Sequence, residues 1–216
     1  MKYDAIFFDL DGTVADSLQD IVDAINHTMR HFHLPEHTAG QLRPKLGWGV
    51  GHVMQALFPD ASEARIQELL AHYKPYYAEH AADKTKPFDG IPETLRRLRD
   101  MGLPMAIISN KPDSAVQPIV RRFFEDLVDL SVGELDGVRR KPSPDMLQSA
   151  ADRLGVALQR CLYVGDTQVD IDTGINAGID CVCVTWGFRT REELVQAGAQ
   201  YIIDRPEQLV EFVEGA

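Results

Sequence analysis

AIFFDLDGT, residues 5–13, carries four apolar residues into a pair of carboxylates, a glycine and a threonine. The β-branched and aromatic run reads as a buried strand. Ending it on Asp9 and Asp11 brings like charges close together where desolvation and repulsion both oppose them. Something elsewhere in the chain must offset that charge.

From residue 88 onward, short β-rich runs alternate with helical patterns. Strands are expected at 105–110, 127–132, 161–166, 181–186 and 201–204, with helices near 91–100, 113–124, 144–154, 168–177, 190–197 and 206–214. Apolar runs without alternation suit strands covered on both faces, and the β, α, β, α order implies a doubly wound parallel, Rossmann-like sheet, an α/β fold. The run at 5–10 would be its first strand. Residues 15–84 differ, with helical periodicity at 18–32 and 61–80 around the glycine-rich LGWGVGHVM and no convincing strand. They read as an all-helical subdomain inserted after the first strand, and KTKPFDGIP (84–92) reads as the return linker. The expected division is a core of 1–14 and 85–216 with a helical cap of 15–84.

With 216 residues, 44% hydrophobic and 25% charged, the chain reads as an ordinary globular protein. A net charge of −11 argues against nucleic acid or an anionic membrane as partner, since both require a basic footprint. A small anionic substrate stays compatible, because a bound cation and a few placed lysines reverse the field locally. Cys161, Cys181 and Cys183 lie in apolar runs without ligand spacing, which reads as buried thiols in a reducing compartment. The N-terminus lacks the uninterrupted apolar run of a signal peptide, and no stretch is long enough to span a membrane. A cytoplasmic location is expected, and oligomeric state is not legible.

Ligands of open α/β sheets bind at the carboxyl ends of the strands. Those ends carry Asp9 and Asp11, then Ser109 and Asn110, then Asp166 and Asp170, with Lys141 after the third strand of the series. Clustered carboxylates suit a hard divalent ion such as Mg²⁺. Ser109, backbone N–H groups and Lys141 would hold phosphoryl oxygens. A carboxylate nucleophile divides phosphoryl transfer into two easier steps, and a second carboxyl can protonate the leaving alkoxide.

Asp9-Leu10-Asp11-Gly12-Thr13, Ser109-Asn110, Lys141-Pro142 and Gly165-Asp166-Thr167-Gln168-Val169-Asp170 resemble the four ordered motifs of the haloacid dehalogenase superfamily. The resemblance extends over essentially the whole chain, cap included. It implies that Asp9 is the nucleophile and a Mg²⁺ ligand, and that Asp11 is the general acid/base with its backbone carbonyl on the metal. It implies that Gly12, Thr13, Ser109 and Asn110 set the nucleophile and phosphate, that Lys141 pairs with both, and that Asp166 ligates Mg²⁺. Asp170 would be a ligand through water or an orienter. The acid at Asp11 favours phosphomonoester hydrolysis over dehalogenation. NKP (110–112), VTWGF (184–188) and the segment 42–57 are similar to phosphoglycolate phosphatases, which makes Arg43, Lys45, Gly47 and Trp48 candidates for substrate selection in the cap. Trp48 departs from the small polar residue usual there and would reshape the pocket.

Other features have plainer readings. His27, His31, His33 and His37 lack interleaved acidic or thiol partners and read as helix-surface residues. Tyr73, Tyr76 and Tyr77 read as helix packing, Trp186 and Phe188 as core or domain-interface packing, and Lys45, Lys74 and Lys84 as exposed lysines. The expected activity is Mg²⁺-dependent hydrolysis of a small phosphorylated metabolite through an aspartyl-phosphate. A phosphomutase that returns the phosphoryl group to a sugar, and a regulatory binding module without catalysis, are the alternatives.

Overall fold

Residues 2–215 are described by a computed structural model. Strand β1 (Ala5–Phe8) leaves the sheet at Asp9, and the chain then forms β2 (Ala15–Asp16), which pairs antiparallel with β3 (Lys86–Pro87). Between these two strands lie helices α1 (Leu18–His31), α2 (Ala39–Leu42), α3 (Val50–Leu57) and α4 (Glu63–His80). The chain therefore enters and leaves the helical region through one two-residue ribbon. That ribbon corrects the expectation of a strand-free insertion; two residues are too few to leave a periodic signal. Buried Asp20 secures the return path, accepting hydrogen bonds from the backbone N–H groups of Lys84 and Thr85 and from the Thr85 hydroxyl, the last at 2.7 Å.

Next come α5 (Ile91–Asp100), β4 (Met105–Pro112), α6 (Asp113–Phe123), β5 (Leu130–Glu134), α7 (Asp145–Leu154), β6 (Cys161–Gly165), α8 (Gln168–Ala177), β7 (Cys181–Val184), α9 (Arg191–Gln196), β8 (Tyr201–Ile203) and α10 (Glu207–Glu214). The sheet runs β5-β4-β1-β6-β7-β8 with every pairing parallel. β5 starts later than the apolar run at 127–132 suggests. The Phe124 carbonyl accepts from the N–H groups of Leu127 and Val128, so these residues close α6 in a turn.

Side-chain alternation along β1 divides the core. Ile6 and Phe8 join Leu95 and Leu98 of α5 and Val210 and Val213 of α10, whereas Ala5 and Phe7 face Leu147 and Ala150 of α7. Both faces of the strand are thus covered, as a parallel sheet requires. Each phenylalanine so buried contributes about 1.5–3 kcal/mol. Because β1 lies between β4 and β6, its carboxyl end faces those of its two neighbours, and this juxtaposition assembles the polar residues described next.

Candidate active site

Lys141 is the centre of the charge arrangement. Its ammonium lies 2.8 Å from Asp9 Oδ1 and 2.9 Å from Asp170 Oδ1, and it donates to the Tyr163 hydroxyl at 2.7 Å. Tyr163, on β6, in turn donates to Asp170 Oδ1 at 2.9 Å. Asn110 holds the Lys141 backbone from both sides. Its Oδ1 accepts from the Lys141 N–H and its Nδ2 donates to the Lys141 carbonyl, each at 2.9 Å. The same Nδ2 reaches the Gly47 carbonyl at 3.1 Å. Lys141 is 1% exposed, which separates it from Arg139 and Arg140, its exposed neighbours in the basic run.

Asp9, Asp166 and Asp170 are buried and offer carboxylate oxygens within 4.8 Å of one another. Burial pushes Asp9 up to about 7, against the pull of Lys141. Burial also raises Asp166, and the charges of Asp170 and Asp9 add to it. Asp170 goes the other way: Lys141 and several hydrogen bonds overcome its burial and hold it below the usual carboxylate range. Burial opposes the Lys141 charge, yet Asp170 and Asp9 keep its pKa above the ordinary lysine value. One ammonium among three buried carboxylates leaves negative charge uncompensated. Hard oxygen donors with that deficit fit Mg²⁺, which takes one or two carboxylates plus phosphate and water.

The partners of each carboxylate separate their roles. Asp170 Oδ2 accepts from the N–H groups of Asp166 and Thr167 and from the Thr167 hydroxyl, while its Oδ1 takes Lys141 and Tyr163. It is fully engaged in holding the loop and the lysine. Asp166 Oδ1 accepts from the Thr13 hydroxyl at 3.1 Å and Oδ2 from the Phe188 N–H at 2.5 Å. Gly12, at φ +85°, and Gly187 enclose Asp166 so closely that a Cβ on either would overlap its carboxylate. The Trp186 indole N–H holds the Thr13 carbonyl at 2.9 Å.

Asp11 is the more open carboxylate. Its Oδ1 accepts from the Ser17 hydroxyl and lies 2.5 Å from the Lys111 ammonium. Lys111 is itself buried and stands over the Tyr77 ring, 4.7 Å from the centroid. Ser109 accepts from the Lys111 N–H at 3.2 Å, which sets the turn of the β4 end. In the sequence Lys111 is visible only as part of NKP, and Tyr163 only as one residue of an apolar strand. A lone lysine and a lone strand tyrosine carry no pattern; position two residues after Ser109, at a strand end, was the available signal for Lys111.

A cavity of about 50 Å³ lies over Asp9, Asp11, Ser109, Asn110 and Lys111, walled by α1, by α3, by α4 and by the loop at 46–49. Of the four residues expected to select substrate, only Gly47 borders it. Arg43 instead donates through Nε to the Phe188 carbonyl at 2.9 Å and through Nη2 to the Gly187 carbonyl at 2.6 Å. Arg189 reciprocates toward the carbonyls of Arg43, Pro44 and Leu46 at 2.9–3.0 Å. Lys45 stands outside the cavity, and Trp48 lies by His52 with ring centroids 5.7 Å apart. Tyr73, Tyr77 and Phe188 do line the cavity, correcting their reading as packing alone. Tyr76 and His72 stack with His27 and His31 between α1 and α4, in keeping with packing.

This arrangement has counterparts. Residues 6–184 match the model of the haloacid dehalogenase-like hydrolases. The N-acetylmuramic acid 6-phosphate phosphatase of Pseudomonas aeruginosa is 30% identical over 220 residues, spanning 100% of this chain and 97% of its own. The phosphoglycolate phosphatase of Xanthomonas campestris pv. campestris is 32% identical over 209 residues, 96% of this chain and 95% of its own. A crystal structure from Lactobacillus delbrueckii subsp. bulgaricus superposes with a TM-score of 0.92 at 35% identity, covering 99% of each chain. With its family model matched over most of its length and its motifs converging at one sheet edge, the chain belongs to the haloacid dehalogenase-like hydrolase family.

Proposed function

We propose that this phosphatase hydrolyses the monophosphate ester of a small metabolite through an aspartyl-phosphate on Asp9, with Mg²⁺ as its cofactor. The observation that carries the reading is Lys141 standing 2.8 Å from Asp9 amid three buried carboxylates. Asp9, Asp166 and the Asp11 backbone carbonyl would hold the ion, with Asp170 orienting Lys141 rather than ligating. When bound, Mg²⁺ neutralises the carboxylates and polarises the phosphoryl group.

In the first step an Asp9 carboxylate oxygen forms a bond to phosphorus as the ester P–O bond breaks. Asp11 gives its proton to the departing alkoxide. In the second step Asp11 takes a proton from water, the water oxygen bonds to phosphorus and the Asp9–phosphorus bond breaks to free phosphate. Lys141 balances charge on Asp9 and on the transferring group throughout, Ser109 holds that group in place, and Asn110, expected from the sequence to bind phosphate, instead fixes the Lys141 backbone. Lys111 and Ser17, both on Asp11 Oδ1, fix the acid/base so that its other oxygen serves the leaving group.

We assign residues 15–84 as a cap whose helices close over the site and exclude bulk water, and 1–14 with 85–216 as the catalytic core. No helix among the described residues is long and apolar enough to cross a membrane, and the three cysteines are free thiols; the reading places the reaction in the cytoplasm. Asp9→Asn keeps the side-chain volume and removes the nucleophilic charge. It is expected to abolish Mg²⁺-dependent release of phosphate from p-nitrophenyl phosphate while the circular dichroism spectrum stays unchanged. Turnover retained by that variant would eliminate the covalent route.

A further inference from the structure

The chemistry of the cavity wall specifies what the ester can carry. Beyond the phosphoryl-binding end, the wall is built from Ile21, Ile25, Leu46, Val53, Tyr73 and Tyr77. Lys111 is the one cation among the lining residues, and it already faces Asp11 at 2.5 Å. Lys141 lies behind Asp9, engaged with two carboxylates. The guanidinium groups of Arg43 and Arg189 are occupied by backbone carbonyls, and Arg140 stands outside the cavity, 3.5 Å from Glu134. A second anionic group on the substrate would therefore lie among apolar side chains and beside Asp11, competing with that carboxylate for Lys111.

Tyr77 supplies the complementary observation. It is 2% exposed, borders the cavity, and its hydroxyl has no hydrogen-bond partner among the described residues. A buried hydroxyl left in that state costs roughly 1–3 kcal/mol, so a ligand oxygen that reaches it is favoured. The cavity volume of about 50 Å³ favours a small leaving group.

We infer that the site takes the monophosphate of a compact, uncharged alcohol, with an apolar flank against Ile21, Ile25 and Val53 and one hydroxyl or ether oxygen at Tyr77, and that it discriminates against esters bearing a carboxylate. The inference rests on the hydrolase reading of this same site and narrows its substrate class. It also separates this chain from relatives named for phosphoglycolate, whose leaving group carries a carboxylate.

The test compares 2-hydroxyethyl phosphate with 2-phosphoglycolate, which differ at the terminal carbon. With the full-length protein and Mg²⁺, kcat/KM is expected to favour 2-hydroxyethyl phosphate by about 100-fold, the scale of a carboxylate left without its counter-charge. Tyr77→Phe is expected to lower kcat/KM for 2-hydroxyethyl phosphate about tenfold more than for propyl phosphate, as loss of one hydrogen bond requires. Equal or better turnover of 2-phosphoglycolate, or equal effects of Tyr77→Phe on both uncharged esters, would overturn the inference. Calorimetric binding of 2-hydroxyethylphosphonate against phosphonoacetate reads the pocket without turnover. Tighter binding of the hydroxyethyl compound by a protein that hydrolyses no ester would overturn the hydrolase reading and leave the pocket assignment standing; tighter phosphonoacetate would overturn the assignment.

Discussion

Asp166 shows how much of the site depends on residues that contribute no functional group. Its carboxylate lies between Gly12 and Gly187, and a Cβ at Gly187 would overlap both Asp166 Oδ2 and the Gly12 carbonyl. Neither obstacle is the free end of a flexible side chain, so the backbone or Asp166 must move. Gly187→Ala is therefore expected to lower kcat/KM by about 100-fold, the usual cost of a displacement near 1 Å in a positioned group. Steady-state kinetics across a Mg²⁺ titration would check it, with the required Mg²⁺ concentration rising as well. Wild-type kinetics would show that the space around Asp166 is not limiting. Gly187 could not be singled out from the sequence, because VTWGF offers no sign of what its glycine approaches. Asp9, Asp11 and Asp166 could, because a carboxylate ending an apolar run conflicts with burial unless it has chemistry to perform. Lys141 stood out through Pro142, whereas Lys111 resembled any surface lysine until the fold placed it on Asp11.

Among elements, the strands and long helices were legible because period and composition agree along each. The pieces that join them were not. The two-residue ribbon of β2 and β3 is beneath any periodicity, and the reciprocal Arg43 and Arg189 contacts are made to backbone carbonyls, which have no sequence signature. The packing of α1 against α4 carries a consequence for pH. His27 stacks on Tyr76 at 3.7 Å and lies 5.0 Å from His72, which stacks on His31 at 3.9 Å. Burial depresses the pKa of His27, and the charges of Arg30, His31 and His80 add to it. Burial likewise lowers His72, with His31 and His27 contributing. The nearby carboxylate, Asp83, is engaged by His80 at 2.8 Å. Since the folded state binds these protons more weakly than the unfolded chain, the contribution of these two histidines to stability is level above the unfolded histidine value near 6.5 and declines as pH falls below it. His72→Phe removes one of these sites while keeping a ring in the stack. Thermal melts at pH 7.5 and 5.5 are expected to show a smaller acid-induced fall in Tm for the variant than for the wild type; equal falls would show that the stack does not govern the acid response.

At the scale of the whole molecule, the chain carries a net charge of −11 and places three of its carboxylates together out of water. Folding without a cation must accept both the general repulsion and the local one, with Lys141 as the buried counter-charge. A divalent ion that binds the folded site and not the unfolded chain therefore acts on global stability as well as on chemistry. At a concentration 100 times its Kd it stabilises by about 2.7 kcal/mol. For a chain of this length each kcal/mol moves Tm by about 2–4 °C, so Mg²⁺ is expected to raise Tm by about 5–10 °C over the same protein in chelator. General screening of the negative surface would also stabilise, so the comparison is made at matched ionic strength with a monovalent salt, which screens but does not occupy a carboxylate site. Asp166→Asn separates the two effects further: it removes one donor while leaving the rest of the surface charge in place. The variant is expected to lose most of the Mg²⁺-dependent shift and keep the response to salt. A wild-type Tm that is the same in Mg²⁺ and in chelator would mean that the buried carboxylates are neutralised by protons instead of by a metal ion, and the assignment of Asp9 and Asp166 as ligands would fall with it.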